Sequence, residues 1–398
     1  MRIEKISIKN YKVFQNVVIE DIGKMAVFLG KNGSGKTTLF DIFGFLKKCL
    51  NENVTSALQS RGGFSEVRSR GQAGDIEFAF QFRTSLKNEK EKLYTYILKI
   101  GEDYKTGKPA VSREILRYKR GSGKGAPWHF VDFRYGKGEA ITNEFETIKE
   151  IKEAKREKYE LTAPDRLAIK SLGQLTRFPA ADSFRKLIED WYISDFQINA
   201  SRQIHDVSYN EQVSTSGDNL ANVAKYMHDN HSQMFKDLLK KMRDRIPGVS
   251  NVEAKETDDG RIVLRFSDGQ FKDPFIARFV SDGTIKMFAY LLILADPKPH
   301  SLLCIEEPEN QLYPHLLQIL AEEFRLYSSE RNQVFISTHS PDFVNALETE
   351  ELYYIKKKNG FSEINKISQN ELLVNLIKEG DKLGSLWSQG LFEQGDIV

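Results

Sequence analysis

The sequence predicts an α/β fold with a mixed, largely parallel core sheet, an antiparallel β lobe and a helical insertion. Three observations support this prediction. A short apolar strand at Met25–Leu29 runs directly into a glycine-rich loop and then into a helix over about 36–50. Strand-like segments separated by polar turns follow between 75 and 135. Beyond Ser281, helices and apolar strands alternate, which is typical of a parallel sheet flanked by helices.

The individual elements follow from the spacing of the apolar residues. Residues 2–8 alternate as a strand, and the segments DIEFAFQF, KLYTYILKI and WHFVDFRY predict an antiparallel sheet. Helical spacing with mixed charge over 143–159 predicts a solvated helix. A second helical stretch covers about 220–245, and the strand RIVLRF follows it. The C-terminal part predicts a helix to about 294, the strand LLCI, a helix over 314–327, the strand QVFIST, a short helix, the strand ELYYIKK and a helix over 371–378.

Composition narrows the protein class. With 58 Lys and Arg against 56 Asp and Glu, the net charge of +2 is too balanced to indicate nucleic-acid binding by itself. The longest apolar run, Met287 to Ala295, is far shorter than the roughly 20 residues of a membrane-spanning helix. The N-terminus lacks the features of a signal peptide, so we expect a cytoplasmic protein without a membrane partner. Cys49 and Cys304 give neither a disulfide framework nor a metal-site spacing.

The glycine-rich loop carries the most specific motif of the chain. Residues 30–37 match GxxxxGK(S/T) in full, between a strand and a helix as phosphate binding requires. Backbone N–H groups of such a loop surround phosphates, and the helix N-terminus favours anions. We expect Lys36 to reach the β- and γ-phosphates of ATP and Thr37 to bind Mg²⁺. The nucleotide-binding candidates here are Gly30, Asn32, Gly33, Ser34, Gly35, Lys36, Thr37 and Thr38.

Further candidates lie where two predicted strands end. The strand LLCI delivers Glu306 and Glu307 to the carboxyl edge of the sheet, where α/β proteins bind ligands. Glu306 is the expected Mg²⁺ group and Glu307 the general base or water-orienting residue. His339 ends the next strand, from where it can donate to the γ-phosphate. Ser281 and Gly283 begin an apolar helix, and the sequence leaves open whether they bind phosphate or only cap that helix.

These residues, in this order, resemble the ABC-type P-loop ATPases of the SMC, RecF and OLD group, and most closely stand-alone OLD-like bacterial ATPases. The resemblance rests on IKNYKVF, GKNGSGKTT, RGGF, VSDGTIKMFAYLLIL, CIEEPENQLYP, STHSPDFV and GSLWSQG, and it does not cover about 85–190. It implies an ATPase head made of residues 1–84, with the phosphate loop, and 216–398, with the signature, Walker B and switch-histidine motifs. Residues 85–215 are then a β-rich and helical insertion.

The resemblance also implies a homodimer or higher oligomer, in which each nucleotide lies between the phosphate loop of one copy and Ser281 and Gly283 of another. Asn310 to Leu312 would be the loop between the two sites, His339 the switch histidine, and Lys12 a residue that approaches the nucleotide. Two positions depart from the family pattern: Glu306 stands where transporters carry Asp, and Tyr313 replaces a His. The glutamine that helps to position Mg²⁺ in the family has four candidates, Gln59, Gln81, Gln197 and Gln203.

The predicted function is an ATP-driven switch or sensor in phage defence or DNA maintenance that acts through an effector protein, a nuclease or a toxin. A nucleotide-binding subunit of a membrane transporter is the alternative. SDGT in place of LSGGQ, EEPEN in place of DEPT, and the long insertion disfavour it. A small-molecule kinase is a weaker alternative, because the paired acids and the signature helix have no role in one.

Two regions leave alternatives open. Between Arg117 and Lys137, basic residues interleave with aromatic ones, so this segment either tracks a nucleic acid or forms a hairpin with one buried face. Only 59 residues follow His339, and we expect no Toprim-type nuclease within them. Leu386, Trp387, Leu391 and Phe392 near the C-terminus dock either on a partner or, as we favour, on their own head.

Overall fold

The core of the protein is a six-stranded sheet that gathers strands from both ends of the chain. A computed structural model describes residues 2–84, 92–118, 128–142, 155–329 and 331–393. Five strands of the core sheet are parallel and the last is antiparallel, in the order β10-β15-β16-β3-β17-β18. Their bounds are β3 (Met25–Leu29), β10 (Tyr192–Ile193), β15 (Leu302–Glu306), β16 (Gln333–Thr338), β17 (Leu352–Lys358) and β18 (Phe361–Lys366). The predicted strands LLCI, QVFIST and ELYYIKK therefore join the strand that enters the phosphate loop.

The second sheet is antiparallel throughout, with eight strands in the order β2-β1-β4-β5-β6-β7-β8-β9. Strands β4 and β5 pair along their length, so this sheet continues across the boundary predicted at residue 84. The bounds are β1 (Arg2–Tyr11), β2 (Phe14–Ile19), β4 (Ile76–Thr84), β5 (Lys92–Glu102), β6 (Pro109–Tyr118), β7 (Trp128–Arg134), β8 (Lys137–Ile141) and β9 (Arg156–Glu160).

The helix predicted over 143–159 is wrong at its C-terminal end. Residues 143–154 lie outside the described part of the chain, but Arg156–Glu160 forms β9 and pairs with β8 from Ile141 to Lys137. Arg156 also forms an ion pair with Glu139 across the two strands at 2.9 Å. Pairing with β8 satisfies the backbone groups of both strands, and this tertiary gain overrides the helical spacing of the sequence.

Helices cover both faces of the core sheet. The stretch predicted over 220–245 is two helices, which separate at His231. A small third sheet, β11-β13-β12 with β14 beside β13, packs near them. Its strands are β11 (His205–Asp206), β12 (Asn251–Glu256), β13 (Arg261–Ser267) and β14 (Phe275–Ile276). The helices are α1 (Lys36–Asn51), α2 (Val54–Gln59), α3 (Phe64–Val67), α4 (Ala168–Leu172), α5 (Pro179–Glu189), α6 (Ile198–Ser201), α7 (Leu220–Asn230), α8 (Ser232–Arg245), α9 (Asp282–Leu294), α10 (Pro314–Tyr327), α11 (Pro341–Val344), α12 (Glu371–Lys378) and α13 (Leu383–Ser388).

The alternating side chains of β3 divide the hydrophobic core in two. Phe28 points to the cluster that contains α1 and the antiparallel sheet, where it contacts Phe40 and Phe335 edge to face. Val27 points to the opposite cluster, which contains α9 and α10. Every residue of β3 and β16 is buried, as expected for parallel strands covered on both faces. The carboxyl ends of β3, β15 and β16 therefore lie side by side at one edge.

The structure also bears on membrane association. Within the ranges given above, no helix is both long and apolar enough to cross a membrane.

Candidate functional site

The loop between β3 and α1 has the shape that a phosphate cradle needs. Gly33 and Gly35 have φ values of 77° and 113°, which L-residues rarely adopt. A Cβ on Gly30 would come within 2.4 Å of Ser34 Oγ and 2.8 Å of the Ile355 carbonyl oxygen, so only glycine fits there. Ser34 Oγ is buried and has no hydrogen-bond partner among the described residues, which suits a phosphate oxygen as its missing partner.

Lys36 lies beneath this loop and is almost fully buried. Its Nζ donates to the Gly30 carbonyl at 2.7 Å and lies 3.9 Å from Glu307 Oε1. Burial lowers the pKa of Lys36, and the charges of Glu307, Glu309 and Glu306 oppose that shift. The single positive charge of Lys36 does not balance the three carboxylates around it. This edge of the sheet therefore remains negatively charged, which suits an additional metal ion.

Glu306 and Thr37 meet at the mouth of the loop. The Thr37 hydroxyl is close enough to the Glu306 carboxylate to influence its pKa, so the two residues predicted to hold Mg²⁺ are neighbours. Burial raises the pKa of Glu306, and the Thr37 hydroxyl lowers it in part. A hydroxyl and a carboxylate are hard oxygen donors, so the pair fits a magnesium ion, which would in turn favour the ionised form of Glu306.

Glu307 contacts both of the other residues predicted to act in catalysis. Its Oε1 lies 3.2 Å from His339 Nδ1 and 3.9 Å from Lys36 Nζ, and its Oε2 accepts from Asn310 Nδ2 at 3.0 Å. The backbone of Glu307 has a φ of 43°, in the left-handed region that costs a non-glycine residue about 1 kcal/mol or more. Its N–H donates to the Ser337 carbonyl of the neighbouring strand at 2.8 Å.

Sequence reasoning missed Glu309. Its side chain is only 7% exposed, and its Oε1 accepts from Thr338 Oγ1 at 2.7 Å and from the His339 backbone N–H at 3.0 Å. Its other oxygen, Oε2, is buried without a partner in the described chain. Glu309 therefore fixes the backbone that carries His339. The signal that was available is the third acid of EEPEN, which lies two residues beyond Glu307.

Ser281 caps α9, as one of the two sequence alternatives held. Its Oγ accepts from the Thr284 N–H at 3.3 Å, and Asp282 pairs with Arg202 at 2.6 Å. A Cβ on Gly283 would lie 2.8 Å from the Gln311 carbonyl oxygen, so the start of α9 packs on the loop after Glu307. Within the described ranges, no hydrogen bond or ion pair joins Ser281 or Gly283 to the phosphate loop of the same chain.

Asp41 is a second residue that sequence reasoning missed. It lies one helical turn after Thr37 and accepts from Tyr11 Oη at 2.7 Å, from Lys12 Nζ at 2.5 Å and from Arg61 Nε at 2.8 Å. These hydrogen bonds lower the pKa of Asp41 against the effect of its burial. Lys12, predicted to approach the nucleotide, is thus held on the face of α1 that carries Thr37.

The structure distinguishes the four glutamine candidates by position. Gln197 follows β10, which pairs in parallel with the Glu306 strand through Ile193 and Cys304. Gln59 ends α2, Gln81 lies in β4, and Gln203 follows α6. Gln197 is therefore the candidate on the segment that leaves the core sheet beside Glu306, although its contact with a metal ion stays a prediction.

Three aromatic residues of the basic segment are buried and not available for base stacking, whereas Tyr135 is exposed. Residues 119–127, with Lys119, Arg120 and Lys124, lie outside the described chain. Trp128, Phe130 and Phe133 are buried, and Phe130 stacks on Tyr118 at 5.1 Å within the sheet. The hairpin alternative, with one buried face, is the correct one for this part of the segment. The alternating pattern did not show which face of β7 the helices α4 and α5 would cover.

The C-terminal segment docks on its own head, as we favoured. Leu386 and Phe392 are buried, and Trp387 packs edge to face against Tyr354 of β17. The Trp387 indole N–H donates to the His339 carbonyl at 3.0 Å. Glu393 forms an ion pair with Lys31 of the phosphate loop at 2.7 Å. The last described residues therefore contact two of the predicted site motifs.

Comparisons with known proteins agree with this architecture. The family described as "AAA domain, putative AbiEii toxin, Type IV TA system" matches residues 25–345. The crystal structure of an Smc head bound to the C-winged helix domain of ScpA matches with a TM-score of 0.57 and 16% identity, over 92% of this chain and 98% of that one. An Smc head from Pyrococcus furiosus with an extended coiled coil, bound to the C-terminal domain of ScpA, matches with a TM-score of 0.52 and 14% identity, over 94% and 99%. No curated protein matches significantly. The structural matches confirm the predicted fold of an SMC-type ATPase head.

Proposed function

The chain belongs to this family of AAA domain proteins, and on that basis we propose that it binds ATP with Mg²⁺ and hydrolyses the γ-phosphate at a site shared by two copies. One observation carries the proposal. A phosphate loop with a buried lysine, a hydroxyl–carboxylate pair and a carboxylate–histidine pair converge at one edge of the core sheet. Phosphoryl transfer to water requires these parts, namely a phosphate cradle, a metal site and a group that orients water.

Each residue has a defined task in this proposal. Lys36 Nζ exchanges the Gly30 carbonyl for the β- and γ-phosphate oxygens. Thr37 and Glu306 would hold a magnesium ion, which would supply positive charge that stabilises the phosphate oxygens. Glu307 accepts a hydrogen bond from the attacking water and orients it. Because His339 Nδ1 already faces Glu307, His339 contacts the γ-phosphate through Nε2.

The proposal of a shared site rests on the start of α9. Ser281 and Gly283 form a helix N-terminus suited to an anion, yet the Ser281 hydroxyl bonds to Thr284 of the same helix and Gly283 packs against the Gln311 carbonyl of the same chain. A second copy would bring this helix start to the γ-phosphate and complete the site. An effector protein would respond to the closing and opening of such a dimer, by analogy with the Smc heads that bind ScpA.

We further propose that the effector is a toxin or nuclease and that the process is phage defence, in line with the toxin–antitoxin description of the family. The OLD-like relationship stays part of this proposal. No observation on the described residues favours the alternative of a membrane-transporter subunit.

The first experiment separates nucleotide binding from hydrolysis. Lys36→Ala is expected to lose ATP binding, because the phosphates lose their buried cation. Glu307→Gln is expected to keep ATP binding and to lower kcat by about 10²–10⁴-fold, because the geometry survives while the base is lost. Glu322→Gln, at an exposed position on α10, is the matched control and should behave like the wild type. A wild-type kcat for Glu307→Gln would show that another group orients the water.

Mixing two inactive variants tests whether the site is shared. A Lys36→Ala copy has a defective phosphate loop. A Ser281→Arg copy has a defective signature turn, which is the start of α9 that contains Ser281 and Gly283. Random pairing makes half of the dimers mixed, and each mixed dimer has one intact site of two, so about a quarter of wild-type activity should return. If no activity returns while size-exclusion chromatography shows that the copies exchange, the site is complete within one chain.

A further inference from the structure

Lys286 is a buried lysine on α9 that bonds to the turn formed by residues 307–310. Its Nζ donates to the Asn310 carbonyl at 2.8 Å and to the Glu307 carbonyl at 3.4 Å. Glu307 and Asn310 are the two ends of a tight turn, since the Asn310 N–H donates to the Glu307 carbonyl at 3.1 Å. Lys286 therefore connects the turn that follows Glu307 to α9, the signature helix that begins at Ser281 and Gly283.

The same face of α9 contacts this loop a second time. Gly283 lies three residues before Lys286, so both point from one side of the helix. Gly283 approaches the Gln311 carbonyl so closely that a Cβ would come within 2.8 Å of it. The start of α9 and the segment from Glu307 to Gln311 thus form one packed unit, in which Lys286 supplies the hydrogen bonds and Gly283 the close approach.

The environment of Lys286 is costly for a lysine that only fills space. Burial lowers the pKa of Lys286 to about 8, while Glu309 and Glu307 raise it. The Tyr290 ring lies 5.7 Å from its Nζ. A neutral apolar residue would fill the same volume without the cost of desolvating an ammonium group. What only the cation can provide here is its hydrogen bonds. Those bonds go to the backbone of Glu307 and Asn310.

Glu307 needs such support because its backbone is strained. Its left-handed φ of 43° places the carboxylate between Lys36 and His339, and a non-glycine residue leaves this region unless its neighbours hold it. The Ser337 carbonyl holds the N–H of Glu307, and Lys286 holds its carbonyl group. Without Lys286, the Glu307 carbonyl keeps the hydrogen bond from the Asn310 N–H within the turn but loses its bond to α9.

We propose that Lys286 is a positioning residue for Glu307, through which the signature helix controls the catalytic carboxylate of its own chain. The inference rests on the proposed function, because it assigns Glu307 to hydrolysis and the signature turn to the second nucleotide. In a closed dimer, α9 touches the ATP of the partner with Ser281 and holds Glu307 over its own ATP with Lys286.

The first test compares substitutions at position 286. Lys286→Met is expected to bind ATP as the wild type does and to lower kcat by about tenfold or more, because Glu307 loses its restraint. Lys286→Arg keeps a cation with donors and should recover part of kcat. Lys240→Met, on the exposed face of α8, is the matched control. A wild-type kcat in Lys286→Met would overturn the inference.

A mixing experiment separates positioning from a general defect of α9. In the mixture of Lys36→Ala with Ser281→Arg, the working site uses Glu307 of the Ser281→Arg copy and α9 of the Lys36→Ala copy. Lys286→Met added to the Ser281→Arg copy should lower the recovered activity by about tenfold or more, whereas added to the Lys36→Ala copy it should spare most of it. Equal loss from both placements means that Lys286 only maintains α9, and refutes the inference.

The mixing experiment also shows which proposal fails. If the parent mixture recovers no activity, the shared site is wrong; if it recovers activity but the placement of Lys286→Met makes no difference, only the role of Lys286 is wrong. Thermal unfolding of each variant checks that it is folded. Should Lys286→Met not fold, Lys286→Arg in the same two placements gives the same comparison with a smaller expected loss.

Discussion

Glu114, in the antiparallel lobe, should make the stability of the protein depend on pH. It lies in β6 and is fully buried. One carboxylate oxygen accepts from Tyr96 Oη at 3.0 Å and from the Ile169 N–H at 3.1 Å, and the other accepts from the Ala168 N–H at the start of α4. Burial raises the pKa of Glu114 to about 7, although these three hydrogen bonds oppose the shift.

The sign and the size of the change in the free energy of unfolding with pH follow from this pKa. In the unfolded chain Glu114 ionises near 4.5, and in the folded protein near 7. Between these values the folded state binds more protons, so the free energy of unfolding falls as the pH rises. At about 1.4 kcal/mol per pH unit the whole loss is about 3 kcal/mol, of which about 2 kcal/mol falls above roughly pH 5.5.

The assay is urea unfolding of the wild type and of Glu114→Gln at about pH 5.5 and pH 8. The glutamine does not ionise, so the wild type should lose about 2 kcal/mol more than the variant between the two pH values. This double difference cancels the histidines and the other acids, which both proteins share. Glu102→Gln, at an exposed position of β5, should follow the wild type. Parallel losses in the wild type and Glu114→Gln would refute the reasoning.

Two further substitutions test the packing around α1. Gly44 lies inside this helix, and a Cβ added to it would lie 3.6 Å from the nearest atom, an Arg61 nitrogen. Because this is an ordinary contact distance, Gly44→Ala should stabilise the protein by about 0.5–1 kcal/mol in urea unfolding. A loss of stability would show that α1 has no room there. Asp41→Asn removes the charge that holds Lys12 and Arg61 and should destabilise by about 1–3 kcal/mol in the same assay. Unchanged stability would mean that both cations find other partners.

Local sequence was sufficient for the phosphate loop and its flanking elements. The apolar run of β3, the glycines of the loop and the amphipathic helix α1 each depend on neighbours in sequence, and their bounds agree with the prediction within a residue or so. Glu306, Glu307 and His339 were predictable for a related reason. Parallel strands end at one edge of a sheet, so residues that follow two such strands meet without further information.

The errors and omissions occur where a residue depends on distant parts of the chain. Residues 156–160 have helical spacing, yet pairing with β8 makes them a strand. The alternation of the hairpin aromatics fits an exposed or a buried face equally well, and only the helices that pack on β7 decide between the two. Strands β6 and β8 went unpredicted as well, although they lie inside the antiparallel sheet.

The sequence by itself determined the chemistry that we propose for the protein, because the proposed phosphate and metal contacts depend on short motifs held by a strand and a helix. The tertiary structure alone decided how those groups are held. Asp41, Glu309 and Lys286 look like ordinary charged residues in the sequence. Each gains its role when the fold buries it against partners from another element, since desolvation makes a charge dependent on the few groups it then contacts.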